Sequence, residues 1–155
     1  MTAPAIALAD EEATDRAGRA LAPLIAPGDV LGLIGELGAG KTALVTGLVA
    51  GLGAPVAAAS PTFALIHEYR GGRLPVWHAD LYRLERQREL IELGLDEIID
   101  RAEGVVVIEW ADRFAVLPPD HVRVVLAHAG AGRTLTITGA GPRSIALAAA
   151  WRAAL

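Results

Sequence analysis

The segment Gly35-Glu36-Leu37-Gly38-Ala39-Gly40-Lys41-Thr42 constrains this chain more than any other stretch. It fits G-x-x-x-x-G-K-[ST] at every fixed position. Its flanks fit as well: the aliphatic run Val30–Ile34 enters it, and a helical pattern over Lys41–Leu52 leaves it and stops at Gly53 and Pro55. Glycines at such a bend let successive backbone N–H groups turn inward around an anion. The helix that follows aims the positive end of its dipole at the same place. In this chemistry a lysine at position 41 neutralises the β- and γ-phosphates, and a hydroxyl at position 42 ligates Mg²⁺. The pattern predicts a purine nucleoside triphosphate site, with Gly35, Leu37, Gly38, Ala39, Gly40, Lys41 and Thr42 around the phosphates.

Composition sharpens the reading at one position. Lys41 is the sole lysine among 14 Lys and Arg residues, so arginine stands everywhere else a cation is used. A slim ammonium reaches between two phosphates where a planar guanidinium fits poorly. The chain has no asparagine, which excludes the Asn-Lys-x-Asp guanine motif and favours ATP over GTP. The net charge of -4 and the scattered arginines argue against a broad nucleic-acid surface on this chain. Any link to nucleic acid is therefore expected to run through a partner. The absence of cysteine excludes disulfides and cysteine metal sites. The first ten residues lack the basic start of a signal peptide, and no apolar run approaches membrane-spanning length, so a cytoplasmic place is expected.

The 155 residues, 53% hydrophobic, predict one domain over 1–155 with a single buried core. Ala5–Leu8 predicts an edge strand. Asp10 predicts a cap for a helix over Glu11–Ala22, with Ala13, Ala17, Ala20 and Leu21 on one face. Thr62–Tyr69 and Arg73–Ala79 predict a hairpin about Gly71-Gly72. Short helices are expected over Arg86–Leu93 and Asp96–Arg101, and a buried strand over Gly104–Ile108. His121–Leu126 and Thr134–Thr138 predict a second hairpin about Gly130–Gly132, followed by a helix over Ser144–Ala154. The fold class is α/β: a P-loop NTPase-like mixed sheet with a parallel nucleotide-binding core, antiparallel strands extending it and helices on both faces.

Two predicted strands run into an acid, Asp80 and Glu109. A phosphoryl-transfer site needs carboxylates at such ends to hold Mg²⁺ or to position the attacking water. The pattern alone does not divide these roles between the two. His78, two residues before Asp80, falls on the same strand face and is placed either in a pair with that carboxylate or as a satisfied buried histidine. Trp110 either lines the nucleotide pocket or packs. Trp77 and Trp151 read as core or interface residues. Ser60-Pro61-Thr62-Phe63 is either a γ-phosphate-sensing loop or an ordinary strand-entry turn.

Taken together, four blocks resemble one family. Gly35–Thr42, Ser60-Pro61-Thr62-Phe63, His78-Ala79-Asp80-Leu81-Tyr82-Arg83 and Ile108-Glu109-Trp110 are similar in order and spacing to the bacterial tRNA threonylcarbamoyladenosine biosynthesis family TsaE. The resemblance extends to Asp10–Thr14 and to Gly132-Arg133. It implies a small magnesium-dependent ATPase that supports threonylcarbamoyl transfer to the adenosine beside the anticodon of tRNA. The partners implied are the two proteins of the transferase complex, with tRNA reached indirectly and no membrane. It also implies Thr42 and Glu109 for Mg²⁺, Asp80 and Thr62 with Lys41 for hydrolysis and sensing, and Glu11 and Arg133 beside the nucleoside. After Trp110 the chain reads Ala111-Asp112, where the family pattern varies. A small-molecule kinase and a nucleotide-controlled interaction module are the rival readings.

Overall fold

Aliphatic segments with few polar interruptions are suited to strands that are covered on both faces. The computed structural model describes residues 3–36, 38–55 and 65–155. Its elements in chain order are β1 (Ile6–Leu8), α1 (Glu11–Leu21), β2 (Val30–Ile34), α2 (Lys41–Gly51), β3 (Ile66–Tyr69) and β4 (Val76–Asp80). They continue with α3 (Gln87–Leu93), α4 (Leu95–Arg101), β5 (Val105–Glu109), β6 (His121–Ala129), β7 (Gly132–Ala140) and α5 (Pro142–Ala153). The seven strands form one sheet in the order β1-β7-β6-β2-β5-β4-β3. Strand β2 lies between β5 and β6 and is parallel to both, and β4 is parallel to β5. The pairs β1–β7, β3–β4 and β6–β7 are antiparallel. The mixed sheet with a parallel centre is the architecture that the sequence predicts.

Alternation along the strands feeds two cores. Leu31, Leu33, Val105 and Val107 face α1, α2 and α5, where Leu21, Leu44, Leu48 and Trp151 complete one cluster. Val30, Trp77, Ala79, Val106 and Ile108 face the other way, onto Leu90 and Leu95 of α3 and α4. The Trp151 indole N–H donates to the Ala17 carbonyl at 2.9 Å, which satisfies the one polar atom of a fully buried ring.

Two expectations are corrected in detail. The strand predicted from Arg73 begins only at Val76. Arg73 is instead turned across to the end of α1, where its guanidinium donates to the carbonyls of Ala22 and Ile25, and its own N–H donates to Leu52 O at 2.7 Å. The second hairpin is longer than predicted at both ends: its ladder runs from His121↔Ala140 to Ala129↔Gly132, well past the buried alternation that marks Val122, Val124 and Leu126. Backbone pairing there outruns the hydrophobic pattern that a sequence displays. Of the two placements open for His78, the outcome is described with the site. The predicted strand start at Thr62 and the loop Ser60–Phe63 lie outside the described residues, as does Leu37.

Helix α1 sits directly on α2 because both carry glycine at the crossing. A Cβ on Gly47 would run into the Asp15 carbonyl, and a Cβ on Gly18 into the Leu44 carbonyl. This contact matters for the site, since α1 brings Glu11 and Thr14 to one side of it and α2 brings Lys41. Gly47→Ala gains about 1 kcal/mol of helix propensity. It also forces backbone against backbone, and overpacking of this kind costs about 1–3 kcal/mol or more. Net destabilisation is expected, read as a lower denaturant midpoint at unchanged slope. A stabilised variant would mean that the two helices are not in this contact.

Candidate functional site

The two helices that flank the site begin differently. Asp10 caps α1, its Oδ1 accepting from Ala13 N–H at 2.8 Å, and Glu11 and Glu12 occupy the first turn. At the start of α2 the cap position is Gly40, in the left-handed region at φ 104°, with no side-chain cap and no acid in the first turn. The first N–H groups of an α-helix have no partner within the helix. Here no side chain caps that end, and the positive end of the helix dipole points toward the cavity.

That cavity has a volume of about 420 Å³ and opens over Gly38, Ala39, Gly40, Lys41 and Thr42. Its size is in the range of small-ligand pockets. Glu11 and Thr14 form one wall, Asp80, Glu109 and Trp110 another, and Arg133 closes the far side. The structure therefore brings together Glu11, Gly38, Ala39, Gly40, Lys41, Thr42, Asp80, Glu109, Trp110 and Arg133 from the sequence-predicted set. Gly35 does not line the cavity; its carbonyl accepts from Lys41 Nζ. Thr62 and Leu37 are not among the described residues.

Lys41 is buried, at 5% exposure. Its Nζ donates to the carbonyls of Gly35 and of Glu36, the latter at 3.1 Å. The same ammonium stands 4.2 Å from the centre of the Trp110 ring, within cation–π range. Burial pushes Lys41 below the usual lysine range, and the nearby carboxylates of Glu109, Asp80 and Asp112 oppose this. Asp112, exposed just past Trp110, reaches Lys41 through its charge.

The two strand-end acids are direct neighbours: Asp80 and Glu109 are register partners on the parallel strands β4 and β5. Burial raises the Asp80 carboxyl above the ordinary aspartate range. The Tyr82 N–H, which donates to Asp80 Oδ1 at 3.0 Å, pulls it down, and the charge of Glu109 adds to the rise. Trp110 has φ 61°, an unfavourable value for a residue with a Cβ. This bend follows β5 directly and turns the indole toward Lys41 and toward the Tyr82 ring, whose centre is 5.1 Å away. Strain of this kind costs about 1–3 kcal/mol and collects at ligand sites.

His78 does not pair with Asp80. Its Nε2 meets Glu109 Oε2 at 2.6 Å, and neither side chain is appreciably exposed. Arg133 donates to the Gly38 carbonyl at 3.1 Å and to the Gly132 carbonyl at 2.8 Å, tying the β6–β7 hairpin to the glycine loop. Sequence reasoning missed Thr14 and Tyr82 as wall residues. The signal for Thr14 was its helical spacing from Glu11; the signal for Tyr82 was its place two residues after Asp80.

The residues present suit a phosphate ligand with a divalent cation. The glycine loop, the start of α2 and the Lys41 ammonium border the cavity together. Asp10, Glu11, Asp80 and Glu109 outnumber Lys41 and Arg133 around the cavity, so a polyphosphate needs a cation between itself and the acids. Among the described residues no three His, Asp or Glu side chains converge as a ready-made metal site. A magnesium ion held by one or two side chains, phosphate oxygens and water does not need one.

This fold and this loop define a P-loop protein. The family model for the threonylcarbamoyl adenosine biosynthesis protein TsaE matches residues 8–135, and the chain belongs to that family. A curated relative from a Nostoc strain, named tRNA threonylcarbamoyladenosine biosynthesis protein TsaE, is 45% identical over 130 residues, covering 82% of this chain and 80% of its own. The protein of the same name from Bacillus subtilis is 42% identical over 134 residues, covering 85% and 83%. Among solved structures, YdiB of Bacillus subtilis superposes with a TM-score of 0.80 at 32% identity, over 99% of this chain and 97% of that one.

Proposed function

We propose that this chain binds ATP with magnesium and hydrolyses it slowly, as an accessory of threonylcarbamoyl transfer to adenosine in tRNA. The observation that carries the nucleotide reading is the start of α2, which has no side-chain cap, lining one cavity with Lys41 and the carboxylates of Asp80 and Glu109. The tRNA role rests on the names of the relatives. Gly38, Ala39 and Gly40 would surround the phosphates with N–H groups, and Lys41 would turn from the loop carbonyls to the β- and γ-phosphates. Thr42 and Glu109 would hold magnesium, which neutralises charge on the transferred group. Asp80 would take the proton of the attacking water as the new bond to the γ-phosphorus forms and the bond to ADP breaks. Its raised pKa suits it to accept that proton. Glu11 and Arg133 would flank the nucleoside. Thr62 keeps its role by resemblance alone.

The partners we propose are the two proteins of the transferase complex. A chain of net charge -4 is poorly suited to hold tRNA by its phosphates. Work on tRNA would place it in the cytoplasm. Among the described residues no helix is long and apolar enough to cross a membrane. The test is steady-state phosphate release by the protein alone, with tRNA, and with the transferase pair, each with ATP and with GTP. Slow turnover alone, a clear rise with the pair and a preference for ATP are expected. Full activity alone, or stimulation by tRNA without the pair, would overturn the accessory role; equal use of GTP would overturn the base preference.

A further inference from the structure

His78 has no part in the phosphate chemistry described above, yet it is fully buried beside it. Its Nε2 contacts Glu109 Oε2 at 2.6 Å, and its other nitrogen, Nδ1, is the one buried side-chain polar atom among the described residues without a hydrogen-bond partner. In the tautomer that carries its proton on Nε2, His78 donates to the Glu109 carboxylate. Nδ1 is then left with nothing to bind, and the centre of the tilted Tyr69 ring lies 6.3 Å from that of the imidazole. Leaving a buried polar atom unpaired is costly, and native structures rarely do so without a reason. Packing does not require it. Val76, on the same face of the same strand, fills its place without any polar atom. What His78 supplies and an apolar residue cannot is the Nε2–H bond to Glu109.

We propose that His78 is a positioning residue that holds one oxygen of Glu109 so that the other is presented to the magnesium of the bound nucleotide. This rests on the reading of Glu109 as a magnesium ligand. The parallel pairing of β4 with β5 makes the arrangement: His78 is the register partner of Val107, two residues before Glu109, and leans along the strand toward it. Glu109 has one flexible torsion more than Asp80 and lies at the cavity wall, so its carboxylate needs a fixed donor to keep one orientation. Partners that orient a metal ligand in this way carry about 10–100-fold in metal affinity.

The experiment is calorimetric titration of ATP with magnesium and with EDTA, for the parent and for His78→Phe, His78→Gln, His78→Asn and Glu109→Gln. The ratio of the two affinities is the magnesium gain. His78→Phe is expected to keep its affinity in EDTA and to lose about tenfold of the magnesium gain. His78→Gln, which can place an N–H where Nε2 stood, is expected to recover most of that loss, whereas His78→Asn, which reaches only the Nδ1 position, is not. An unchanged magnesium gain in His78→Phe would overturn the proposal, and so would equal losses with magnesium and with EDTA, the mark of a merely structural role. If His78→Phe does not fold, the Gln and Asn variants decide: equal magnesium gains in the two would overturn it. A full magnesium gain in Glu109→Gln would sink the reading of Glu109 and the proposal with it. Loss there with no loss in His78→Phe would sink the positioning role alone.

Discussion

Lys41→Ala is expected to lower ATP affinity about a hundredfold and to leave the fold in place. Each charge-assisted hydrogen bond to phosphate contributes about 1.5–3 kcal/mol, and Lys41 is placed to make two. At about 1.4 kcal/mol per factor of ten, a hundredfold is the lower end of that sum. No second lysine exists to substitute, and Arg133 is already engaged with Gly38 and Gly132 across the cavity.

The stability side nearly cancels. Removing Lys41 gives up its hydrogen bonds to Gly35 and Glu36, each worth about 0.5–1.5 kcal/mol net. It also removes an ammonium that burial disfavours. The folded-state pKa of Lys41 is lowered, so keeping it charged at neutral pH costs folding free energy, and alanine lifts that cost. Lys41→Arg is expected to bind ATP little better than alanine, because the Nζ sits in a tight place between two carbonyls and an indole. Calorimetry gives the affinities and a melting curve checks the fold. A folded Lys41→Ala protein with the parent's ATP affinity would refute the phosphate-binding role of the loop.

What could be read in the sequence was local. The turn at Gly40 and the helix after it are announced within eight residues, and the Asp10 cap follows from a contact three residues long. Long-range pairings were harder. His78 and Glu109 are 31 residues apart on different strands, and nothing in either strand states that β4 and β5 will be parallel neighbours. Within its own strand His78 could be read either as a pair with Asp80, two positions away, or as a satisfied buried histidine; the neighbouring strand supplied its partner. Gly47 is a similar case. Within α2 it looks like a weakness, and only the approach of the α1 backbone explains it. Arg73 broke its predicted strand for a related reason: free carbonyls at the end of α1 gave its guanidinium partners that the hairpin could not.

Asp80→Asn is expected to slow ATP hydrolysis by about 10²–10⁴-fold, to leave ATP affinity with magnesium within a few-fold, and to make the folded protein more stable near neutral pH. The first effect follows from placing the proton acceptor at the end of β4, beside Glu109 and across from Lys41. An amide can still hold the water but cannot take its proton. The second follows from leaving Lys41, Thr42 and Glu109 intact. The third comes from the sign of the Asp80 shift. Burial, reinforced by the charge of Glu109, raises the folded-state pKa above the unfolded value. The protonated form is therefore the one that folding favours; that contribution is full below the unfolded pKa and is lost as pH rises through the folded one. Asparagine does not titrate, so the variant should match the parent's pH trend least through the window just above the ordinary aspartate range. Its advantage should grow as pH rises through that window and then level off. Denaturant midpoints of both proteins across the acid-to-neutral range, alongside single-turnover phosphate release, measure the two consequences together. If Asp80→Asn hydrolyses ATP at the parent's rate, Asp80 is not the proton acceptor. If its stability advantage instead shrinks as pH rises, burial does not disfavour the carboxylate at this position.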